Sequence, residues 1–304
     1  MARSVLVTGA YGFVGRHASR RLAEEGHRVT GIGHGGWTQG EARRWGLSAW
    51  HATDVNLDAL FTYAGEPDLV IHCAGSGSVG FSVGHPYQDY QRNVGSAAAV
   101  LEFSRLHAPD ARIVLPSSAA VYGAVERTPI EEIDVLRPVT PYGAHKKIAE
   151  DLCASFGRYC GVKSAVVRLF SVYGPELRKQ LLWDASWRVS RNENGFFGTG
   201  RELRDWIHVE DAVGLLLKAG ERASAECPVV NGGTGEGISV EQVLKELFRA
   251  FGRSDEPLFS GQARAGDPPH YIASTSVAQA WGWKPTVGWR EGICEYVRWF
   301  QDNN

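Results

Sequence analysis

Two hydrophobic patterns alternate through the first half of this chain. Short runs rich in aliphatic and β-branched residues, Ser4-Val5-Leu6-Val7, Arg28 to Ile32, Leu69 to Cys73, Arg112 to Leu115 and Ser164 to Phe170, read as buried strands. Arg16 to Glu25, Val94 to Leu106 and Tyr142 to Tyr159 carry helical patterns between them. Such alternation predicts a Rossmann-type α/β fold, a doubly wound parallel sheet with crossover helices. Pro116 has no amide to donate, which predicts that the strand before it ends at Leu115. Glycines at 31, 33, 35, 36 and 40 predict a long loop after the second strand. Beyond Pro175 the order is less regular. Trp183, Trp187, Phe196, Phe197, Trp281, Trp283 and Trp289 read mostly as the packing of a smaller C-terminal α/β lobe.

Composition narrows the class. With 304 residues, 43% hydrophobic and 22% charged, the chain can bury a substantial core, in one large or two closely joined lobes. A net charge of −2 without Lys/Arg runs leaves no footprint for nucleic acid, and no apolar stretch approaches the ~18 residues of a membrane span. Met1-Ala2-Arg3 leads straight into the first apolar run, with no room for a secretory leader, so the cytoplasm is the expected location. Cys73, Cys153, Cys160, Cys227 and Cys294 are odd in number and lack a Cys-x-x-Cys, which predicts reduced packing residues and neither a disulfide framework nor a metal site.

Two segments carry candidate chemistry. Gly9, Gly12 and Gly15, in Thr8-Gly9-Ala10-Tyr11-Gly12-Phe13-Val14-Gly15, sit between a strand and a helix. Small residues there let the backbone approach a pyrophosphate, and the helix N-terminus favours its charge, so a dinucleotide is the expected ligand. Tyr142 and Lys146 lie four residues apart, on one face of a helix that Thr140 would cap and Pro141 would start. A phenol beside an ammonium, near the positive end of a helix dipole, is tuned for proton exchange.

Together with Ser117-Ser118-Ala119-Ala120-Val121-Tyr122-Gly123, Arg168-Leu169-Phe170-Ser171-Val172-Tyr173-Gly174-Pro175, Arg204-Asp205-Trp206-Ile207-His208-Val209-Glu210-Asp211, Asn231-Gly232-Gly233-Thr234-Gly235 and Arg264-Ala265-Gly266-Asp267-Pro268, these segments resemble the extended short-chain dehydrogenase/reductase family. Within it they resemble the enzymes that remodel nucleotide-diphosphate sugars. The resemblance implies a dinucleotide-binding domain over 1–173, with 204–231 returning to it, and a mainly nucleotide-sugar-binding domain over 174–304. It also implies a homodimer.

By the same resemblance, Ser118 and Tyr142 hydrogen-bond the reacting oxygen while Lys146 holds the nicotinamide ribose and lowers the tyrosine pKa. Ala119 and Ala120 stand where sugar dehydratases place an acid pair, and the cysteine of the 3,5-epimerising reductases is missing, so hydride chemistry at C4 remains. The favoured reading is reduction of a 4-keto sugar nucleotide; the alternative is a 4-epimerase with retained NAD, and a remote one is a non-catalytic dinucleotide-binding regulator.

Gly9, Tyr11, Gly12, Phe13, Val14, Gly15, His34, Asp54, Val55, Ala74 and Lys146 are the implied cofactor contacts. Asp54 matches the position that binds the adenine amino group. The second strand ends in Gly31-Ile32-Gly33-His34-Gly35-Gly36, without the carboxylate that repels a 2′-phosphate, and Arg16, His34, Arg43 or Arg44 could meet that phosphate. NADP(H) is therefore favoured over NAD(H). Implied substrate contacts are Asn93 in a helix-start pattern, Ser118, Tyr142, Ser171 where the family has asparagine, Phe197 against the base, and Arg204 and Arg264 on the diphosphate. The segment Leu177 to Asp184 is distinctive and is assigned no sugar.

Overall fold

The computed structural model describes residues 2–125, 127–262 and 270–304. Its strands are β1 (Ser4–Thr8), β2 (Arg28–Gly33), β3 (Leu47–Ala52), β4 (Leu69–His72), β5 (Arg112–Ser118), β6 (Lys163–Leu169), β7 (Ser171–Tyr173), β8 (Gly195–Phe196), β9 (Leu203–His208), β10 (Val229–Gly232), β11 (Gly237–Ser239), β12 (Leu258–Phe259) and β13 (His270–Tyr271). The helices that matter below are α1 (Phe13–Glu24), α2 (Gln39–Arg44), α3 (Leu57–Tyr63), α4 (Val79–Gly84), α5 (Pro86–Tyr90), α6 (Ser96–His107) and α7 (Pro141–Cys160), with a π-helical turn over Gln91–Gly95. No described helix is long and apolar enough to cross a membrane.

The chain forms two compact units. The first contains Met1–Gly123, Val135–Arg168 and Val213–Val230. Its seven-stranded sheet runs β10-β6-β5-β4-β1-β2-β3, and β1 pairs in parallel with both β2 and β4. Strand order therefore reverses beside β1, where open α/β sheets bind ligands at the carboxyl ends of their strands. Alternation across the pleat explains the continuous apolar runs: Leu6 joins Val70, Ile113 and Val166 in a core under α3, α6 and α7, while Val5 and Val7 are buried on the other face. Phe103 and Leu101 from α6 are among its largest buried side chains. Each contributes about 1.5–3 kcal/mol by leaving water.

Three local expectations are corrected. First, β5 continues through Pro116 to Ser118. Its register with β4 ends at Ile71↔Val114, so the proline lies past the last paired position and its missing amide breaks no bond on that side. Second, the glycine-rich stretch is not one long loop. Gly31 and Gly33 belong to β2, and Gly40 lies in α2, which Thr38 and Glu41 start with a reciprocal capping box. That helix leads to β3, an edge strand whose broken apolar pattern, Leu47 and Trp50 buried among exposed neighbours, hid it from periodicity. Third, Asn93 does not start a helix; it sits inside the π-helical turn that joins α5 to α6.

The second unit contains Ala124–Asp134, Leu169–Ala212 and Asn231–Asn304. Here β9, expected in the segment returning to the first domain, pairs with β7, β11 and β13. A buried carboxylate organises it: Asp205 accepts the amides of Thr234, Gly235 and Ala273 and the Thr234 hydroxyl. Asp211 does the same for Thr286 and Val287.

In the first unit, Glu150 of α7 and Arg168 of β6 form a buried ion pair, with Arg168 Nη2 2.8 Å from Glu150 Oε2. Arg168 also donates to the Tyr122 hydroxyl at 2.9 Å, and the Ser117 hydroxyl donates to Glu150. Removing one partner leaves an uncompensated buried charge. Arg168→Met is expected to lower stability by about 3–5 kcal/mol in urea titrations, whereas Glu150→Leu/Arg168→Met should recover most of the loss.

Candidate active site

The glycine turn connects β1 to α1 at the carboxyl edge of the sheet. Gly9, at φ 67°, donates its amide to Ile32 O at 2.7 Å, and Gly12 closes the turn onto Gly9 O at 2.9 Å. A Cβ on Gly9 would stand 2.6 Å from Ala74 N, and one on Gly15 would stand 2.3 Å from Gly9 O. Backbone approach this close admits no side chain. Gly12 is the N-cap of α1 and makes no side-chain cap, so the first-turn amides of Phe13, Val14 and Gly15 face outward without intrahelical acceptors. Glycine cradle and helix terminus together fit a dinucleotide pyrophosphate. Ala74 packs its backbone on Gly9, and Val55 packs against the core.

Beside the end of β2, two of the candidate cations for a 2′-phosphate, His34 and Arg16, already have partners. His34 Nε2 lies 2.6 Å from Asp54 Oδ1, a carboxylate that would itself oppose an added phosphate. Arg16 donates to Tyr11 O from Nη2 at 2.7 Å, and its guanidinium lies over the rings of Tyr11, Trp37 and Trp45. Tyr11 in turn packs so closely on Gly35 that a Cβ there would fall 2.2 Å from its ring. Arg43 and Arg44 occupy the last turn of α2. The glycines that replace the expected carboxylate are thus shaped by aromatic packing.

Helix α7 begins as its sequence requires, with Thr140 Oγ1 accepting Gly143 N at 3.1 Å and Pro141 in the first turn. Gly143 approaches the Ala120 carbonyl so closely that a Cβ would lie 2.5 Å from it. That contact brings the start of α7 to the end of β5. Tyr142 is half-buried, close enough to Ser118 for the two side chains to influence each other, and its amide donates to Ser82 Oγ of α4 at 3.1 Å. Lys146 is buried and donates to Pro116 O at 3.0 Å. Ser118, Tyr142 and Lys146 are therefore brought together.

The electrostatics differ from the expected tuning. Burial pushes the Tyr142 phenol above its usual value, the Ser118 hydrogen bond opposes this, and the Asp89 carboxylate adds to it. Burial lowers the Lys146 ammonium, against the pull of Cys73, Asp89 and Glu150. Lys146 donates to the Pro116 carbonyl, and burial is the largest influence on the phenol. Sequence reasoning passed over Asp89 of α5, which is wholly buried and accepts His145 Nδ1 at 2.7 Å. The only available signal was a histidine just before Lys146.

Asn93 is buried, its side-chain amide donating to Asp89 O at 3.2 Å. In the second unit, Ser171 opens β7 opposite Trp206, Arg204 lies in β9 and donates to Leu203 O at 2.9 Å, and Phe197 is exposed just after β8. Arg264 lies outside the described residues.

The sequence profile of the NAD dependent epimerase/dehydratase family matches residues 5–232. A putative UDP-glucose 4-epimerase of Methanocaldococcus jannaschii is 28% identical, over 99% of both chains. Among solved structures, the UDP-glucose 4-epimerase of Thermotoga maritima with UDP-glucose is 29% identical, with a TM-score of 0.88 and 98% of each chain covered. The UDP-glucuronic acid 4-epimerase of Bacillus cereus, in complex with UDP-glucuronic acid and NAD, is 25% identical, with a TM-score of 0.87 and 99% of each chain covered.

Gly9→Ala tests the cradle. The forced φ and the approach to Ala74 should leave far-ultraviolet circular dichroism unchanged while dinucleotide binding, read by calorimetric titration, falls at least about tenfold.

Proposed function

Because this chain belongs to the NAD dependent epimerase/dehydratase family, we propose that it is a nucleotide-sugar 4-epimerase that retains NAD, with a UDP-linked hexose or hexuronate as substrate. One observation supports the choice over reduction by NADPH: the Arg16 guanidinium donates to Tyr11 O and lies over three aromatic rings, and His34 pairs with the Asp54 carboxylate. The missing second-strand carboxylate first favoured NADP(H). The named relatives, as 4-epimerases, and NAD in the Bacillus cereus complex support the other reading.

NAD would be held by the first-turn amides of α1, the Gly9–Gly15 turn and Lys146, and when bound it supplies hydride acceptance and return at C4. Tyr142 Oη takes the proton of the C4 hydroxyl as that carbon is oxidised and gives it back after the sugar has presented its other face. Ser118 donates a hydrogen bond to the oxygen that carries developing charge, and α7 fixes it against Tyr142. Because proton and hydride both return to the sugar, the enzyme ends each turnover unchanged. Ser171, Phe197, Arg204 and Arg264 belong to this reading as substrate contacts, the arginines suited to a diphosphate by their forked donors.

The deciding experiment is purification without added nucleotide, followed by denaturation and mass spectrometry of what is released. Stoichiometric NAD is expected, with interconversion of 4-epimeric UDP-sugars and no added cofactor. A site bearing NADP, or an empty one that binds NADPH more tightly than NADH, would favour reduction. Tyr142→Phe should keep its NAD and lose about 10²–10⁴-fold in turnover.

A further inference from the structure

Parallel pairing sets Thr8 of β1 beside His72 of β4, two residues beyond the paired Leu6 and Val70 and on the same face of the sheet. That face is apolar and lies under α6, so a buried imidazole there needs a partner for each nitrogen. Both are present. Thr8 Oγ1 lies 2.8 Å from Nδ1, and Ser96 Oγ, at the start of α6, lies 3.2 Å from Nε2. All three side chains are buried.

The neighbouring groups fix the direction of each bond. Ser96 Oγ gives its single proton to Arg92 O at 2.6 Å, so towards the imidazole it only accepts, and the ring proton sits on Nε2. Nδ1 is then an acceptor for the Thr8 hydroxyl, and Thr8 Oγ1 in turn accepts the Ala74 amide at 3.3 Å. Burial, helped by the nearby Lys146 ammonium, lowers the His72 pKa to about 3, which keeps the ring neutral near pH 7. A neutral imidazole, one donor and one acceptor, matches the two hydroxyls it meets.

The ends of this chain hold two backbone segments at the cofactor edge. Ala74 packs on the glycine turn, where a Cβ on Gly9 would meet its nitrogen at 2.6 Å, and a Cβ on Gly75 would stand 2.6 Å from Asn93 Oδ1 in the π-helical turn. At the far end the Ser96 amide bonds Gln91 O, five residues back, while its hydroxyl takes Arg92 O, four back, so the serine closes that turn. A leucine at position 72 would fill the core and link neither hydroxyl.

We propose that His72, held as its Nε2-protonated tautomer, is a positioning residue for the dinucleotide: through Thr8 and Ser96 it sets Ala74 and Gly75 between the glycine turn and the π-helical turn. The two links depend on each other. Without Ser96 Oγ nothing holds the proton on Nε2, and a proton on Nδ1 takes away the acceptor of the Thr8 hydroxyl.

The inference rests on the dinucleotide reading of the site and not on the choice of sugar. Thr8→Val and Ser96→Ala, both close in volume to the residues they replace, test it in the full chain after release of any co-purified nucleotide. Each is expected to weaken NAD binding about three- to tenfold in calorimetric titration. The double variant should weaken it by less than the product of the two factors, because both changes break one chain. Imidazole ¹H–¹⁵N spectra should show His72 protonated on Nε2 in the wild type and no longer held in that single tautomer in Ser96→Ala. A structural role alone would lower the urea midpoint and leave the NAD affinity of the folded variants unchanged. That result, factors that simply multiply, or a wild-type ring protonated on Nδ1 would each overturn the proposal. Either single variant decides if the other fails to fold. A wild-type chain that binds neither NAD nor NADP would overturn the functional reading together with the role of His72, whereas variants that bind NAD as the wild type does overturn that role alone.

Discussion

The close approach of α7 to the end of β5 is the constraint on which the candidate site depends. Gly143 lies so near the Ala120 carbonyl that even a methyl group would collide, and this contact joins Tyr142 to Ser118. Four residues further along the same helix, Lys146 reaches Pro116 O, and Glu150 follows one turn later to meet Ser117 and Arg168. One helix thus ties the carboxyl ends of the central strands to its own polar face. Its seat is fixed by an N-cap, a proline and a glycine.

Burial gives that seat its electrical character. A solvated phenol beside a lysine would ionise more readily, but here desolvation dominates and the lysine turns to a carbonyl. Asp89 acts in the same direction at the phenol as burial does. Both influences hold the Tyr142 phenol above its usual range. A cationic ring bound nearby would favour the opposite state by the same electrostatic rule. Coupling of this kind suits an enzyme whose proton must leave and return within one turnover.

The cofactor edge shows how aromatic packing shapes the end of the second strand. Losing a carboxylate from the second strand removes a repulsion, but it does not place a cation. Gly33 and Gly35 accept left-handed φ values, and Gly35 leaves room for Tyr11, which with Trp37 and Trp45 surrounds the Arg16 guanidinium. The arginine's planar cation is matched to ring faces, and two of its nitrogens donate to Tyr11 O.

The sequence by itself determined the parallel α/β order, the glycine turn, the cap of α7 and the spacing of Tyr142 and Lys146. Each is a local property: a run buried on both faces, a backbone position that excludes Cβ, or a repeat of 3.6 residues. Tertiary structure decided the rest. Strand β3 took its place at the sheet edge by pairing with β2, although its own pattern is weak. Pro116 was tolerated because the β4 ladder had already ended. His34 and Asp54, twenty residues apart, met because parallel strands β2 and β3 finish side by side, and Asp89 met His145 because α5 packs on α7. Long-range pairs of this kind leave no period in a sequence, since the distance between their members is set by the fold and not by the chain.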